Sequence, residues 1–183
     1  MSGPETVIET ERLILQPYSP QQVLALIEHP ERFEELAGFP PADGLRAFLV
    51  SGEVSPNFLA ALRASRGPDP WVYGFAVVYR DRRFVIGNAS FKGPPDEAGV
   101  VEIAYGIVQE FAGRGFATEA ATALLRFAFA SGRVRLVRAH TLPTSNASTR
   151  VLEKCGFHFA GDVVDPEDGA VWRWERSGAG PAA

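Results

Sequence analysis

Residues 100–130, with the sequence VVEIAYGIVQEFAGRGFATEAATALLRFAFA, decide the fold. The opening run is rich in β-branched and aromatic side chains, which predicts a strand over residues 100–108. A glycine-containing loop follows at residues 112–115, and apolar residues then recur at helical spacing until Gly132 ends the helix. Because another strand-forming run follows at residues 134–142, the segment predicts a strand–helix–strand crossover.

The flanking sequence predicts short helices on the amino-terminal side and further strands around the crossover. Helices are predicted at residues 20–28, 44–51, 56–65 and 146–155, and strands at residues 12–16, 71–79, 84–91, 157–163 and 170–175. A polar turn at residues 80–83 between two of these strands is typical of an antiparallel hairpin. Hairpins combined with one crossover predict an α/β (α+β) sandwich around a mixed sheet.

Length and composition favour one domain in a cytoplasmic protein. The chain has 183 residues, and residues 177–183 have the composition of a disordered tail. A formal net charge of −4 argues against a general nucleic-acid binder, which needs clustered basic residues. We expect no membrane association, because no apolar run approaches the length of a membrane span and the amino terminus does not have the pattern of a signal peptide.

Cysteine and histidine usage predicts neither a disulfide nor a metal site. Cys155 is the single cysteine, so no disulfide can form within the chain. The three histidines show no metal-ligand spacing, and we expect no metal.

The glycine loop has the chemistry of an anion site. Gly113 and Gly115 flank Arg114 directly before a helix begins. Backbone N–H groups at the start of a helix bind anions, and glycines let the backbone approach a diphosphate closely. The alternative is a tight turn between strand and helix. Neither the Rossmann fingerprint nor the P-loop pattern is met.

A second motif, NASTRVLEKCGF at residues 146–157, predicts a capped short helix that leads into a strand. Together with GRGFATEA at residues 113–120, it resembles the GNAT acetyltransferase superfamily. The stretch TERLIL at residues 10–15 is similar to the first strand of the RimJ/RimL branch, which acetylates the N-terminal amines of ribosomal proteins. The resemblance covers residues 8–176, which we take as one acetyltransferase domain.

The resemblance implies a fold and a cosubstrate. In this family a mostly antiparallel mixed sheet carries helices on both faces, and two strands splay apart to receive acetyl-CoA. Here these strands would be residues 100–108 and 134–142. The diphosphate would bind the N–H groups of Gly113, Arg114, Gly115, Ala117 and Thr118. The pantetheine and the thioester carbonyl would pair with the backbone of Ile107 and Val108.

Three positions depart from the family pattern. Ala112 stands where Gln or Arg is frequent, and Asn146 lies two residues before Ser148, whereas the family usually has three. Asn146 remains a candidate cofactor contact. Leu152 stands where many members carry the Tyr that protonates the departing thiolate. Ser148 is therefore the candidate general acid, with water as the alternative.

Glu102 is the candidate general base. It lies in a mostly apolar strand close to where the thioester would be, and a carboxylate there can accept a proton from the amine directly or through water. The alternative is a solvent-facing or structural glutamate. We expect Tyr105 to belong to the core or to line the cleft, and His140 to be a strand-end residue. Cys155 is rejected as a nucleophile because no histidine is near it in sequence.

These features predict an enzyme that transfers an acetyl group from acetyl-CoA to a primary amine by direct attack in a ternary complex. The acceptor is a protein N-terminus or a small-molecule amine, and the resemblance is compatible with a homodimer. One alternative is a non-catalytic acyl-CoA-binding regulatory module. The other is a general nucleotide- or phosphate-binding domain, which would leave the second motif unexplained.

Overall fold

The computed structural model describes residues 6–50, 54–166 and 168–178, which form a single eight-stranded sheet with helices packed against it. The elements in chain order are β1 (Ile8–Glu9), β2 (Leu13–Pro17), α1 (Pro20–Glu28), α2 (Phe33–Ala37), α3 (Leu45–Leu49), α4 (Pro56–Ala64), α5 (Pro70–Tyr73), β3 (Phe75–Tyr79), β4 (Phe84–Phe91), β5 (Val100–Ile107), α6 (Phe116–Ala130), β6 (Leu136–Thr141), α7 (Ala147–Lys154), β7 (His158–Asp165) and β8 (Gly169–Ser177). The mixed α/β architecture predicted from the sequence is confirmed.

The strand order is β1-β2-β3-β4-β5-β6-β8-β7. Among the strands of the described residues, β5 and β6 form the one parallel pair. This pair connects through α6, as the crossover requires. Its ladder covers only Val100 to Glu102 on β5 and Leu136 to Arg138 on β6. Both strands continue beyond those residues without pairing to each other, so the sheet divides at Glu102.

Helix α6 packs on β2, β4 and β5 and connects β5 to β6. One face of the helix is fully buried and consists mostly of alanine and leucine, including Ala120, Leu124 and Ala128. Near its carboxyl end, the ring of Phe127 packs against Trp71 and Phe75 at centroid distances of 5.1 and 5.4 Å. The carboxyl-terminal part of α6 is thereby fixed against α5 and β3.

The predicted strand at residues 71–79 is wrong in its first half. Asp69 caps a short helix there, its Oδ1 accepting a hydrogen bond from the Trp71 N–H at 2.9 Å, and Pro70 occupies the first turn. Gly74 then ends α5 with a φ of 70°, and a Cβ at this position would lie 2.6 Å from the Cβ of Ser90. Capping and the packing of Trp71 outweigh the strand propensity of this stretch.

Other boundaries also differ from the sequence analysis. Strand β1 and helix α2 were not predicted. Ser51, at the predicted end of the helix at residues 44–51, lies outside the described residues. Ser177 belongs to β8, where it pairs with Leu136, so the predicted tail does not begin there. Residues 179–183 of that tail lie outside the described part of the chain.

No helix in the described ranges is long and apolar enough to cross a membrane. In the same ranges, no group of three or more His, Cys, Asp or Glu side chains is arranged to hold a metal ion.

We expect Leu124→Ala to lower the free energy of unfolding by about 2–5 kcal/mol, because Leu124 is completely buried between α6 and the sheet. Urea titration followed by circular dichroism measures the change. Arg126→Ala, on the exposed face of the same helix, is the matched control and should change stability by less than about 0.5 kcal/mol. Equal losses in the two variants would contradict the assigned helix orientation.

Candidate active site at the division of the sheet

The division of the sheet leaves one edge of β5 facing an open gap. The N–H groups of Lys92 and Val108 donate to the carbonyls of Glu102 and Ile86, which fixes the hydrogen-bonding alternation between β4 and β5. The backbone groups of the alternate β5 residues Tyr105 and Ile107 therefore point away from β4. They face the gap that opens where β6 no longer pairs with β5. An extended ligand arm in this gap could pair with them as an added strand would.

Two cavities open along the gap, with volumes of about 370 and 460 Å³. The larger is lined by the loop before α6, by α7 and by the end of β5, and the smaller by the facing parts of β5 and β6. Tyr105 and Ser148 line both cavities. They therefore mark a neck where groups held in the two cavities can meet.

The larger cavity contains the predicted anion site. Gly113 and Gly115 adopt φ values of 75° and 81°, which favour glycine, and both line the cavity together with Ala117 and Thr118 from the first turn of α6. Helix α7 contributes Arg150 and Lys154 to the same cavity. The arrangement combines backbone donors at a helix start with positive charge, as an anionic ligand requires.

Two side chains shape this loop in ways that the sequence did not indicate. The guanidinium of Arg114 lies over the ring of Phe111 at 5.4 Å, so its side chain packs back on the protein. Phe48 of α3 packs onto Gly106, and a Cβ at Gly106 would lie 1.8 Å from the ring. Phe48 thus forms a wall of the larger cavity that only glycine on β5 permits.

Arg12 ties the amino-terminal strand to the same loop. Its Nε and backbone N–H donate to the carboxylate of Glu119 at 2.8 Å each, and its Nη1 donates to the carbonyl of Arg114 at 2.8 Å. Burial raises the pKa of Glu119, but hydrogen bonds from Thr10 and Arg12 outweigh it and hold the pKa below its ordinary value. The sequence analysis used TERLIL only as a family signature and missed this contact.

Two predicted cofactor contacts have other roles. The side-chain oxygen of Asn146 accepts the Thr149 N–H at 3.1 Å, and the Thr149 hydroxyl accepts the Asn146 N–H at 3.0 Å, which is a capping box for α7. The N–H of Val108 donates to Ile86, and its carbonyl accepts the N–H of Phe111. The side-chain oxygen of Asn146 and the backbone groups of Val108 are therefore occupied within the protein, whereas the backbone of Ile107 faces the gap. All three stay predictions as cofactor contacts.

The smaller cavity contains Glu102 at the last residue of the β5–β6 ladder. Its Oε1 accepts from Lys92 Nζ at 2.8 Å and lies 3.0 Å from His140 Nδ1. Burial lowers the pKa of Lys92, but the hydrogen bond to Glu102 and its charge, with smaller effects from Asp165 and Asp168, leave that pKa above its ordinary value. His140 is therefore a partly buried partner of Glu102, where the sequence suggested only a strand-end residue.

Tyr105 lies at the neck between the cavities. Its hydroxyl donates to the backbone carbonyl of Ser148 at 3.4 Å. Burial, and to a smaller extent the charge of Cys155, raise the pKa of Tyr105, so the hydroxyl keeps its proton at neutral pH. Leu152 is buried in the wall of the smaller cavity. The tyrosine hydroxyl at the neck thus comes from β5. The position on α7 where many GNAT enzymes carry a tyrosine holds Leu152 instead.

Cys155 has the environment of a structural residue. It is 4% exposed, and its thiol lies 3.6 Å from the hydroxyl of Thr122. Burial raises its pKa, and the opposing effects of Thr122 and Arg176 do not reverse this. A thiol held in its protonated form is a poor nucleophile, which agrees with its rejection as a catalytic group.

Comparison with known proteins identifies the family. The model of the acetyltransferase (GNAT) domain matches residues 12–158. The chain belongs to the GNAT acetyltransferase family. It is 27% identical over 157 residues to YjdG, an uncharacterized N-acetyltransferase of Bacillus subtilis, covering 82% of this chain and 89% of that one. It is 24% identical to YoaA of the same species, covering 85% and 84%. The named relatives support an acetyltransferase enzyme.

Solved GNAT structures share the fold. RimL, a ribosomal alpha-N-protein acetyltransferase in complex with coenzyme A, superposes with a TM-score of 0.63 at 18% identity, covering 93% of this chain and 97% of that one. The ribosomal-protein alanine acetyltransferase from Vibrio fischeri gives 0.62 at 15% identity, covering 94% and 96%. The microcin self-immunity acetyltransferase MccE, in complex with acetyl-CoA and AMP, gives 0.60 at 16% identity, covering 96% and 97%.

We expect Arg12→Met to weaken coenzyme A binding about five- to tenfold, because the guanidinium that joins the loop carbonyl of Arg114 to the carboxylate of Glu119 is lost. Calorimetric titration measures the affinity. Arg80→Met is the matched control, since Arg80 binds the carbonyl of Thr10 nearby without reaching the loop. If both variants bind coenzyme A as tightly as the wild type, Arg12 does not organise the loop.

Proposed function

We propose that this GNAT enzyme transfers the acetyl group of acetyl-CoA to a primary amine by direct attack at the neck between the two cavities. One observation carries the proposal: Tyr105 and Ser148 join a cavity with an anion-binding loop to a cavity with a carboxylate. A ternary complex needs this arrangement, because cofactor and acceptor must enter from different sides and meet at one point.

The residues of the larger cavity fit a coenzyme A molecule. The N–H groups of residues 113–118 would hold the diphosphate, and Arg150 and Lys154 would add positive charge along α7. Backbone groups of Ile107 would pair with the pantetheine arm in the gap beside β5. Acetyl-CoA would supply an activated thioester, whose carbonyl develops negative charge during attack.

Glu102 is proposed as the base. The attacking amine forms a C–N bond to the thioester carbon, and the amine proton then passes to the carboxylate, directly or through water. The C–S bond breaks, and the thiolate of coenzyme A leaves. Support comes from the position of Glu102 in the smaller cavity, close to the neck and 21% exposed in its side chain.

Tyr105 and Ser148 are proposed to assist the departing thiolate. Both lie at the neck, where the sulfur would be. The Tyr105 hydroxyl retains its proton at neutral pH and can donate a hydrogen bond to developing negative charge on sulfur. Ser148, exposed in the first turn of α7, is the second donor, as proposed from the sequence.

The acceptor is proposed to be a protein N-terminus or a small amine. An α-amino group has an ordinary pKa of about 7.7–8.0, against about 10.4 for a lysine side chain, so it presents far more neutral amine near pH 7.5. RimL and the Vibrio fischeri enzyme are named as ribosomal-protein acetyltransferases, which favours an N-terminal acceptor. A non-catalytic acyl-CoA-binding module remains the alternative to test.

The experiment that tests this function is release of free thiol from acetyl-CoA by the purified protein. The acceptors are small primary amines and peptides with free N-termini, and each product is identified by mass spectrometry. We expect thiol release that depends on both protein and amine. Tight coenzyme A binding without amine-dependent release across the panel would favour the non-catalytic module.

We expect Glu102→Gln to lower kcat about 10²–10⁴-fold, the usual contribution of a general base, with the affinity for coenzyme A unchanged. The readout is thiol release at saturating acetyl-CoA with the best amine of the panel. Glu97→Gln, an exposed carboxylate in the loop before β5, is the control and should keep the wild-type rate. An unchanged kcat in Glu102→Gln would overturn the base assignment.

We expect Tyr105→Phe to lower kcat about ten- to a hundredfold, since a hydrogen bond to a charged sulfur is lost. Adding Leu152→Tyr should restore part of the rate if the new hydroxyl reaches the sulfur from α7. Tyr79→Phe, whose hydroxyl binds Asp81 at the surface, controls for the loss of a tyrosine hydroxyl. A wild-type kcat in Tyr105→Phe would exclude Tyr105 from thiolate stabilisation.

A further inference from the structure

A polar row crosses one face of the sheet at the point where β5 and β6 separate. Its members are Lys92 at the end of β4, Glu102 on β5, His140 on β6 and Arg173 on β8. Glu102 is opposite Arg138 in the ladder, His140 lies two residues further along the same face, and His140 is opposite Arg173. The row therefore connects the smaller cavity to the far half of the sheet.

The contacts of His140 with Arg173 and with Glu102 determine which ring nitrogen of His140 carries the proton. Arg173 Nε lies 3.5 Å from His140 Nε2, and a guanidinium can only donate. This contact is long and suits an Nε2 without a proton. The shorter contact decides the tautomer: His140 Nδ1 lies 3.0 Å from Glu102 Oε1, and because a carboxylate oxygen only accepts, Nδ1 carries the ring proton and donates it.

Both donors to the Glu102 side chain converge on one oxygen. Lys92 Nζ and His140 Nδ1 each bind Oε1, at 2.8 and 3.0 Å. Two donors at one oxygen occupy its lone pairs and fix the rotation of the carboxylate. Oε2 is then the oxygen better suited to accept a proton from an amine in the cavity.

We infer that His140, held in its Nδ1–H tautomer by the Glu102 carboxylate with Arg173 facing Nε2, is a positioning residue that orients Glu102 so that Oε2 receives the acceptor proton. The inference rests on the proposed role of Glu102 as base. His140 suits this task because its side chain is only 11% exposed and is held between two neighbouring strands. In this role His140 holds its proton and passes none to the acceptor.

The surrounding charges agree with this role. Lys92 on β4 and Arg173 on β8 lie at the two ends of the row, and Asp165 and Asp168 of the β7–β8 hairpin act on Lys92. Arg138 on β6 forms a separate pair with Glu175 on β8, at 2.8 Å from its Nη2. The Arg138–Glu175 pair lies on the same face of the sheet and also joins β6 to β8 through side chains. Because it does not belong to the polar row, Arg138→Met is the matched control for Arg173→Met.

Histidine ring ¹⁵N NMR tests the tautomer without any acceptor amine. The chain has three histidines, so the His140 signals are assigned by their loss in His140→Asn. In the neutral ring, we expect His140 to carry its proton on Nδ1. Arg173→Met should move the ring towards the Nε2–H form, while Arg138→Met should leave it unchanged. An Nε2–H ring in the wild type would overturn the inference.

Kinetics separate positioning from proton transfer. Asn places an amide N–H where Nδ1–H was but cannot take up a proton, so His140→Asn should keep kcat within about threefold of the wild type. His140→Ala should lower kcat at least about tenfold with little change in KM for acetyl-CoA, because Glu102 loses a charge-assisted hydrogen bond. Equal losses in His140→Asn and His140→Ala would show that the ring itself carries the proton and would overturn the positioning role.

A double-variant cycle tests whether Arg173 acts through His140. Arg173→Met should lower kcat in the wild type and have no further effect in His140→Asn, because asparagine has no tautomer to fix. An equal effect in both backgrounds would remove Arg173 from the row. If Glu102→Gln leaves kcat unchanged, the proposed base fails; if it lowers kcat while His140→Ala does not, only the present inference fails.

Discussion

The short ladder between β5 and β6 is the constraint on which the site depends. Parallel strands connected by a helix normally continue side by side, but here pairing ends at Glu102 and Arg138. Unpaired β5 backbone groups beyond this point are costly unless a ligand or solvent satisfies them. The division therefore leaves a gap into which the proposed pantetheine arm would fit, with a carboxylate at its closed end. Both cavities, and the neck at Tyr105 and Ser148, follow from it.

The division persists because the parts on either side are fixed elsewhere. Helix α6 joins the two strands and is held to the sheet by its buried alanines and by the Phe127 ring cluster. The start of α6 is held by Arg12, which bridges the loop carbonyl of Arg114 and the carboxylate of Glu119. Because the pKa of Glu119 is held below its ordinary value, the ionised carboxylate contributes stability at neutral pH. That contribution is lost as the pH falls through the lowered pKa.

The sequence predicted most where the residue types of one continuous segment, taken in their order along the chain, determine the structure. The run at residues 100–130 predicted the crossover, and the spacing of the two glycines predicted an anion site that the structure lines with helix-start residues. Glu102 was singled out as the candidate base because a carboxylate interrupts an apolar strand, and the structure places it in the smaller cavity. The strand predicted over residues 71–73 was wrong because the Asp69 cap and the packing of Trp71 override strand propensity.

The remaining site residues depend on register between distant strands. His140 meets Glu102 only because β6 pairs with β5 in one register and with β8 in another, and a single sequence contains no such information. Arg12 reaches Glu119 across more than a hundred residues of chain. The cap formed by Asn146 was not distinguished from a cofactor contact, because both call for the same residue type at the same place.

A crystal structure of the enzyme with coenzyme A and an unreactive amine tests the central claim most directly. The account predicts the diphosphate on the N–H groups of residues 113–118 and the pantetheine arm in the gap beside β5. It predicts the sulfur at the neck, within hydrogen-bonding distance of the Tyr105 hydroxyl, with the amine on the Glu102 side. A sulfur remote from Tyr105 and Ser148, or a cofactor bound outside the gap, would contradict the account.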